Sequence, residues 1–447
     1  MSNVRLEAVA FGLVLGLAVA GPAWAQLEFK APPPLKPASQ TRVVTPLEAA
    51  ELLIQGGRFA EAKRVLDTLE KASPNDSQVQ FLLAMVEMQD KQYPAAIHRF
   101  RRILIREPGV MRVRLELARA FFLEKDYDNA ERQFRFARAG DPPAPVKQNI
   151  DAFLYQIRMA RRFSYNLSVA AAPDTNLNAG PSQQTVAIFG LPFELSDQAK
   201  RQSGVGATLD TGGEWSPPIT DRVHFRVGGQ FHRSEYSGGA FDDMTVSAYA
   251  GPRFIGSRWE ISPLVTAYRR WYGNHDYNRG TGGALQATLY PTPKLGLNLG
   301  LSGQQATFID HDMDGPSISA STGAYYTLSS DTVLSGSLSM SHQDARLKVY
   351  ANTAWQLAFG VYRDLPHGFS ASINPSYAKI DYGDPFVAFG ATRRDRQWAV
   401  QTTLLNRRID VWGFTPRVAY TYTSNASSIS LYAYERQRVE VGFTRNF

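Results

Sequence analysis

The sequence predicts an α+β multidomain chain: an N-terminal all-α repeat solenoid followed by a C-terminal antiparallel transmembrane β-barrel of about 14 strands. Three observations predict it. Phe59, Tyr93 and Tyr127 recur at intervals of 34 residues, as do Ala62, Ala96 and Ala130, and then Pro74, Pro108 and Pro142. After residue 163 the apolar period changes from helical to two. The chain has no cysteine and, beyond its first 25 residues, no apolar run near 18 residues. Neither disulfides nor membrane-spanning helices are therefore open to it.

Residues 1–25 read as a secretory signal. Arg5 supplies the basic region, Ala8 to Ala20 is an apolar stretch, and Ala23-Trp24-Ala25 is a small-x-small cleavage site, so the mature chain is expected to start at Gln26. A retained anchor is the competing reading, but a stretch of about 13 residues is too short to span a bilayer. No cysteine follows, which excludes a lipoprotein signal. Residues 26–42 are rich in proline and form an extended lead-in.

Residues 43–144 hold three repeats, 43–76, 77–110 and 111–144. An aromatic, an alanine three residues on and a helix-ending proline make up the tetratricopeptide signature. Each first helix carries a small residue at its close contact, Ala50, Ala84 and Ala118. Each second helix pairs Ala62, Ala96 or Ala130 with Leu66, Phe100 or Phe134 four residues later, on the same face. One helix pair cannot bury its apolar stripe alone, so the pairs stack. Residues 145–162 place Ile150, Phe153, Leu154 and Ile157 at helical spacing and read as a capping helix and linker.

Residues 163–447 read as the barrel. Val223, Phe225, Val227, Gly229 and Phe231 alternate with His224, Arg226, Gly228, Gln230 and His232. An apolar and a distinctly polar face suit either a half-buried sheet or a barrel with lipid outside and water inside. Short turns near 216–221, 255–257, 290–293, 329–331 and 364–367 interleave with longer loops near 172–200, 236–241, 272–276, 308–316, 345–351, 382–393 and 423–431. That is the outer-membrane pattern, and an even strand count puts both barrel ends, and the repeats with them, in the periplasm. Val439, Val441, Phe443 and Phe447 alternate toward an aromatic end. Phe443 and Phe447 are the expected assembly signal, read by the barrel-assembly machinery.

The net charge of +7 raises the question of nucleic acid. Export and the scatter of arginines along both halves argue for outer-membrane lipid or an acidic partner instead.

The barrel opens with Phe163-Ser164-Tyr165-Asn166 and the turn Pro173-Asp174-Thr175-Asn176-Leu177-Asn178. It ends through Trp412-Gly413-Phe414-Thr415-Pro416 and Tyr434-Glu435-Arg436-Gln437-Arg438. With the repeats before it, the chain resembles the surface lipoprotein assembly modulator, or modifier, family along nearly all of its mature length. The resemblance implies an outer-membrane translocation factor. Its client would be an exported surface lipoprotein or related secreted protein, recognised in the periplasm and passed to the cell surface.

Recognition needs a groove, which tetratricopeptide arrays line with their first helices. Phe81, Met85 and Met88 share one face, as do Arg112, Leu115, Arg119 and Phe122. Met85, Met88, Arg112, Arg119 and Phe122 are the candidate partner-binding residues, methionine for adaptable apolar contact and arginine for carboxylates. Inter-repeat core is the competing role for Phe81 and Leu115, and a solvated face the competing role for the arginines. No cofactor, metal or catalytic residue is expected. Asp310-His311-Asp312-Met313-Asp314-Gly315 starts like a calcium loop, but Ser321 stands where its last acidic ligand belongs, so a hairpin turn explains it. His224, His232 and Ser341-His342 have no nucleophile motif around them, and a polar lumen accounts for them. A porin with a periplasmic interaction module, or a scaffold anchored by its barrel, are the alternative functions.

Overall fold

The computed structural model describes residues 44–409 and 411–446. The signal segment and the lead-in 26–42 lie outside them, as does Phe447. Seven helices come first: α1 (Pro46–Gln55), α2 (Phe59–Ala72), α3 (Ser77–Gln89), α4 (Tyr93–Arg106), α5 (Met111–Leu123), α6 (Tyr127–Ala139) and α7 (Ala144–Ala160). Their boundaries follow local chemistry. Asp76 caps α3 by accepting from the N–H groups of Gln78 and Val79, and Asp126 caps α6 through Asn129 N–H. The periodic alanines Ala62, Ala96 and Ala130 are fully buried, where only a methyl fits between helices, and Leu66, Phe100 and Phe134 fill the space beside them. A half-buried polar knot ties the first two repeats: Arg99 pairs with Glu70 at 2.6 Å and Glu87 at 2.7 Å, and also donates to Gln80.

Seventeen strands follow. They are β1 (Phe163–Asp174), β2 (Thr185–Ile188), β3 (Leu191–Glu194), β4 (Gly204–Trp215), β5 (Pro218–Thr220), β6 (Val223–Tyr236), β7 (Asp243–Ile255), β8 (Trp259–Tyr272) and β9 (His275–Thr292). After them come β10 (Leu295–Phe308), β11 (Gly315–Thr327), β12 (Thr332–Gln343), β13 (Asn352–Asp364), β14 (Phe369–Phe386), β15 (Ala391–Asn406), β16 (Thr415–Ser427) and β17 (Tyr434–Asn446). β2 and β3 form a small hairpin in the first long loop, and β5 is a short appendage to β6. The remaining fourteen pair antiparallel into a closed barrel, with β1 between β4 and β17 and β4 joined to β6. Closure leaves no unpaired edge, which is what lets strands cross lipid.

The two faces sort as the alternation requires. Val265, Leu301, Ile318, Phe359, Trp398 and Val441 are exposed on the outside. Near the end where the helices sit, Phe163, Trp215, Trp259, Tyr326, Phe369 and Phe443 form an exposed aromatic belt, the residue type favoured at lipid–water interfaces. Inside lie ion pairs such as Arg226 with Glu214 at 2.7 Å and Arg253 with Glu260.

Several expected long loops prove short. Between β8 and β9 only Gly273 and Asn274 remain, both with positive φ, which makes a tight hairpin with the twist that antiparallel strands favour. β14 and β16 continue to Phe386 and Ser427, so the loops expected from 382 and 423 start later. Period-two patterning ends where one face stops meeting lipid, while the backbone ladder runs on past it.

The closing seam has its own devices. Gly442 faces Ala170 so closely that a Cβ there would collide with the Val169 carbonyl. At the far end of β1, the buried Asp174 carboxylate receives Arg436 at 2.6 Å and Asn176 N–H at 2.9 Å. Fully buried Asn176 donates to the carbonyls of Glu435 and Gly180. The Asp-x-Asn element thus fastens the first strand to the last. Asp174→Ala is expected to cost about 3–5 kcal/mol by stranding Arg436. Heat-dependent gel mobility of the folded barrel should shift to a clearly lower temperature, while Asn178→Ala should shift it less.

Candidate client groove and barrel mouth

The first helices of the pairs meet along one face. The Arg112 guanidinium lies 4.9 Å from the Phe81 ring centroid, joining α5 to α3, and Phe122 packs edge-on against Phe153 at 5.3 Å, joining α5 to α7. Arg112 and Arg119 are exposed on this face, Met85 and Phe122 are half-buried beside them, and Met88 sits in the core next to Ala84 and Ala96. Glu116 stands between the two arginines, 3.8 Å from Arg119. Burial pushes the Glu116 carboxyl up, and Arg119 and Arg112 only partly offset it. The groove therefore offers two exposed cations, an adaptable apolar floor and one half-buried carboxyl between the cations.

The last two helices carry a second constellation, which the sequence reading did not anticipate. α6 and α7 rest on the barrel turns at the helical end. Arg135 of α6 donates to the Pro293 carbonyl at 3.3 Å and lies 5.3 Å and 5.2 Å from the Tyr290 and Tyr325 rings. Arg158 of α7 donates to the Ser257 carbonyl at 2.6 Å and lies 4.7 Å over Tyr290. Lys294 returns a bond to the Ala139 carbonyl at the end of α6. On the opposite wall, Asn129 and Arg132 of α6 share a cavity of about 390 Å³ with Asn166, Glu214, Gln230 and Tyr249 of β1, β4, β6 and β7. α6 thus lies across the mouth, touching strands from opposite sides of the ring.

Glu131 organises this plug. It pairs at 2.6 Å with both Arg135 and Arg161, and Arg161 also reaches Asp128 at 2.9 Å. Burial alone would raise the Glu131 carboxyl, but the two guanidinium groups pull it down to about 2. The Arg132 guanidinium goes the other way: burial, and then the nearby Arg407 charge, lower it to about 10. The Glu131–Arg135 pair is legible as a helical i, i+4 contact. Its long-range partner Arg161 and the tyrosine platform are not.

The remaining candidates find structural employment. Asp310 caps Asp312 N–H, and Asp314 accepts from Phe308 N–H and His311, so these carboxylates shape a hairpin. In the lumen, His232 Nδ1 lies 2.5 Å from Asp210 and its Nε2 lies 3.1 Å from Ser234 Oγ. Ser234 is only 4% exposed, which leaves its hydroxyl no approach for an acyl group. Phe443 sits exposed on β17, paired with Val169.

Two family profiles match. One, described as "Surface lipoprotein assembly modifier", covers residues 163–447, and the other, its "N-terminal TPR repeats", covers residues 53–134. Among named proteins, the chain is 21% identical to the surface lipoprotein assembly modifier of Pasteurella multocida, over 86% of this chain and 79% of that one. It is 22% identical to surface lipoprotein assembly modifier 1 of Neisseria meningitidis serogroup B, over 85% and 78%. It is also 21% identical to the hemophilin secretion modulator of Acinetobacter baumannii, over 82% and 78%.

Because its folded pKa is depressed, Glu131 stabilises the plug fully above its ordinary value near 4.5 and ceases to do so as pH falls toward about 2. In planar bilayers, wild-type conductance should stay low at neutral pH and rise on acidification through that window. Glu131→Gln, which breaks a buried pair at a cost of about 3–5 kcal/mol, should already conduct at pH 7.

Proposed function

The chain belongs to the surface lipoprotein assembly modifier family, and from that premise we propose that it is an outer-membrane translocation factor for a surface lipoprotein or a related secreted protein. The observation that carries the reading is a repeat groove whose last helices dock on the mouth of a closed fourteen-strand barrel. A recognition surface thereby stands at the entrance to a path through the membrane.

The repeats face the periplasm in this proposal. An even number of strands returns both barrel ends to one side, and short turns at that side with longer loops opposite follow the outer-membrane pattern. The client enters along the groove, where Arg112 and Arg119 take its carboxylates and Met85 and Phe122 its apolar side chains, with Met88 supporting them from behind. Phe443 contributes to the signal by which the barrel-assembly machinery inserts the chain. A constitutive porin fits less well, because α6 occupies the mouth and holds it through buried ion pairs. The work is recognition and passage, with no covalent step.

Deleting the gene should remove protease-accessible client from intact cells while leaving its total amount intact. Restoring the gene with Arg112→Glu and Arg119→Glu should lower surface client by roughly tenfold relative to wild type at equal barrel abundance, the effect of losing an interface hot spot. Unchanged display in the deletion strain would refute the translocation reading.

A further inference from the structure

The barrel rim opposite the helices carries charges on its outer wall that neither the client groove nor the plug uses. On β14, Ile373, Tyr377, Lys379 and Asp381 alternate outward, and on β15 Arg394, Arg396, Trp398 and Val400 do the same. The ladder sets them side by side. Tyr377 opposes Trp398, Lys379 opposes Arg396, and Asp381 opposes Arg394. Neighbouring strands lie about 4.8 Å apart and alternate residues about 7 Å apart along a strand, so the cations form one patch that a single phosphate-bearing head can reach.

Height on the wall sets what surrounds this patch. Lys379 follows Phe369, in the aromatic belt at the helical end, by ten residues of β14. At about 3.3 Å per residue and a strand tilt of about 40°, that separation is about 25 Å, the height of a lipid-facing band. Trp355, Tyr377 and Trp398 stand at this second edge, Trp398 60% exposed and its ring 4.6 Å from that of Tyr377. The cations therefore begin where hydrocarbon gives way to headgroups.

Lys379 pairs with Asp381 at 2.8 Å. On the luminal face of β15, Arg393 takes Asp395 at 2.7 Å, which turns that carboxylate away from the patch. Among the described residues no ion pair reaches Arg394 or Arg396. The other acids of the neighbourhood, Asp384 beyond the bulge of β14 and Glu435 across β16, are exposed and hold neither arginine. Two such guanidinium groups beside a lysine suit a phosphate. The wall next to them is furrowed. Two adjoining furrows of about 450 and 500 Å³ run over β9 to β13, sharing Leu285, Leu301, Ala320 and Met340. Trp355 bounds the second furrow and opposes Lys379, so the apolar furrow adjoins the basic patch.

We propose that this outer wall binds a phosphorylated, multiply acylated glycolipid of the outer leaflet. Its phosphate sits on Lys379, Arg394 and Arg396, and an acyl chain lies in the furrow between Leu301 and Met340. The site rests on the periplasmic placement of the repeats, which turns this rim outward, and not on client recognition. Lipid binding is read on purified protein without client, so the two readings fail separately.

The test is native mass spectrometry of the purified full-length protein, released from detergent with bisphosphorylated lipid A or with the same glycolipid stripped of phosphate. Parallel arms offer phosphatidylglycerol and inorganic phosphate. Wild type should retain the bisphosphorylated glycolipid in preference to the stripped form. The Arg394→Ser, Arg396→Ser variant should lose that retention by roughly thirtyfold, whereas Arg394→Lys, Arg396→Lys should keep most of it. Ala320→Trp, which fills the furrow, should weaken it severalfold. Arg233→Ser, on β6 at the same rim and paired with Glu235 at 3.2 Å, should leave it unchanged. Heat-dependent gel mobility confirms that each barrel is folded; should the double serine variant misfold, Arg396→Ser alone is expected to cost about fivefold. Equal retention of both glycolipid forms, undiminished retention in the folded arginine variants or an equal loss in Arg233→Ser would overturn the proposal. So would a preference for phosphatidylglycerol, or binding of inorganic phosphate without the glycolipid. Orientation is read separately: Ser237→Cys, in a chain without cysteine, should react with a membrane-impermeant maleimide on intact cells. Labelling without glycolipid retention sinks the lipid site alone, and no labelling sinks the placement beneath it as well.

Discussion

Backbone closure in lipid is the constraint from which the rest follows. No water reaches the amides of a strand inside the bilayer, so each must pair with a neighbouring strand and the last strand must find the first. Here β17 pairs with β1 from Asn446 to Arg438, and Gly442 removes the side chain that would hold the two apart. The Asp174–Arg436 pair and buried Asn176 complete the seam at its far end. Fourteen strands bring the start of β1 and the end of β17 to the same rim, so the helices that precede β1 have little choice but to sit there.

That placement explains why α6 is so unlike an ordinary solenoid helix. Its Arg135 is buried against the Pro293 turn and Glu131, and the neighbouring Arg161 is half-buried against Glu131 and Asp128. Burying three charged groups is costly unless each is paired, and here the carboxylate is shared by two guanidinium groups over tyrosine rings. Such an arrangement is specific more than it is strong. It fixes one docking geometry of α6 on the barrel turns, and that geometry depends on the ionisation of Glu131.

Much of this was legible in the residues. The 34-residue spacing names the fully buried Ala62, Ala96 and Ala130, because close helix contact tolerates only small side chains there. Strict alternation names the lipid-facing residues of β6, since a strand has only two faces. Two kinds of information were hidden. Strand ends were read too short at 382–386 and 423–427, because the polar signal changes before the ladder stops. The mouth was missed altogether, for Arg135, Arg158, Tyr290 and Tyr325 lie far apart in sequence and none belongs to a motif. Met88 illustrates a third limit: a residue on the groove side of a helix can still be drawn into the core by the next repeat.

The central claim is that a client passes from the repeat groove into the barrel. Photo-crosslinking in living cells tests it directly, with a photoreactive amino acid placed at Arg119 in the groove or at Gln230 beside α6 within the barrel. The client should form adducts first at position 119 and then at position 230 as it moves to the surface. Client that reaches the surface normally while forming adducts at neither position would contradict it.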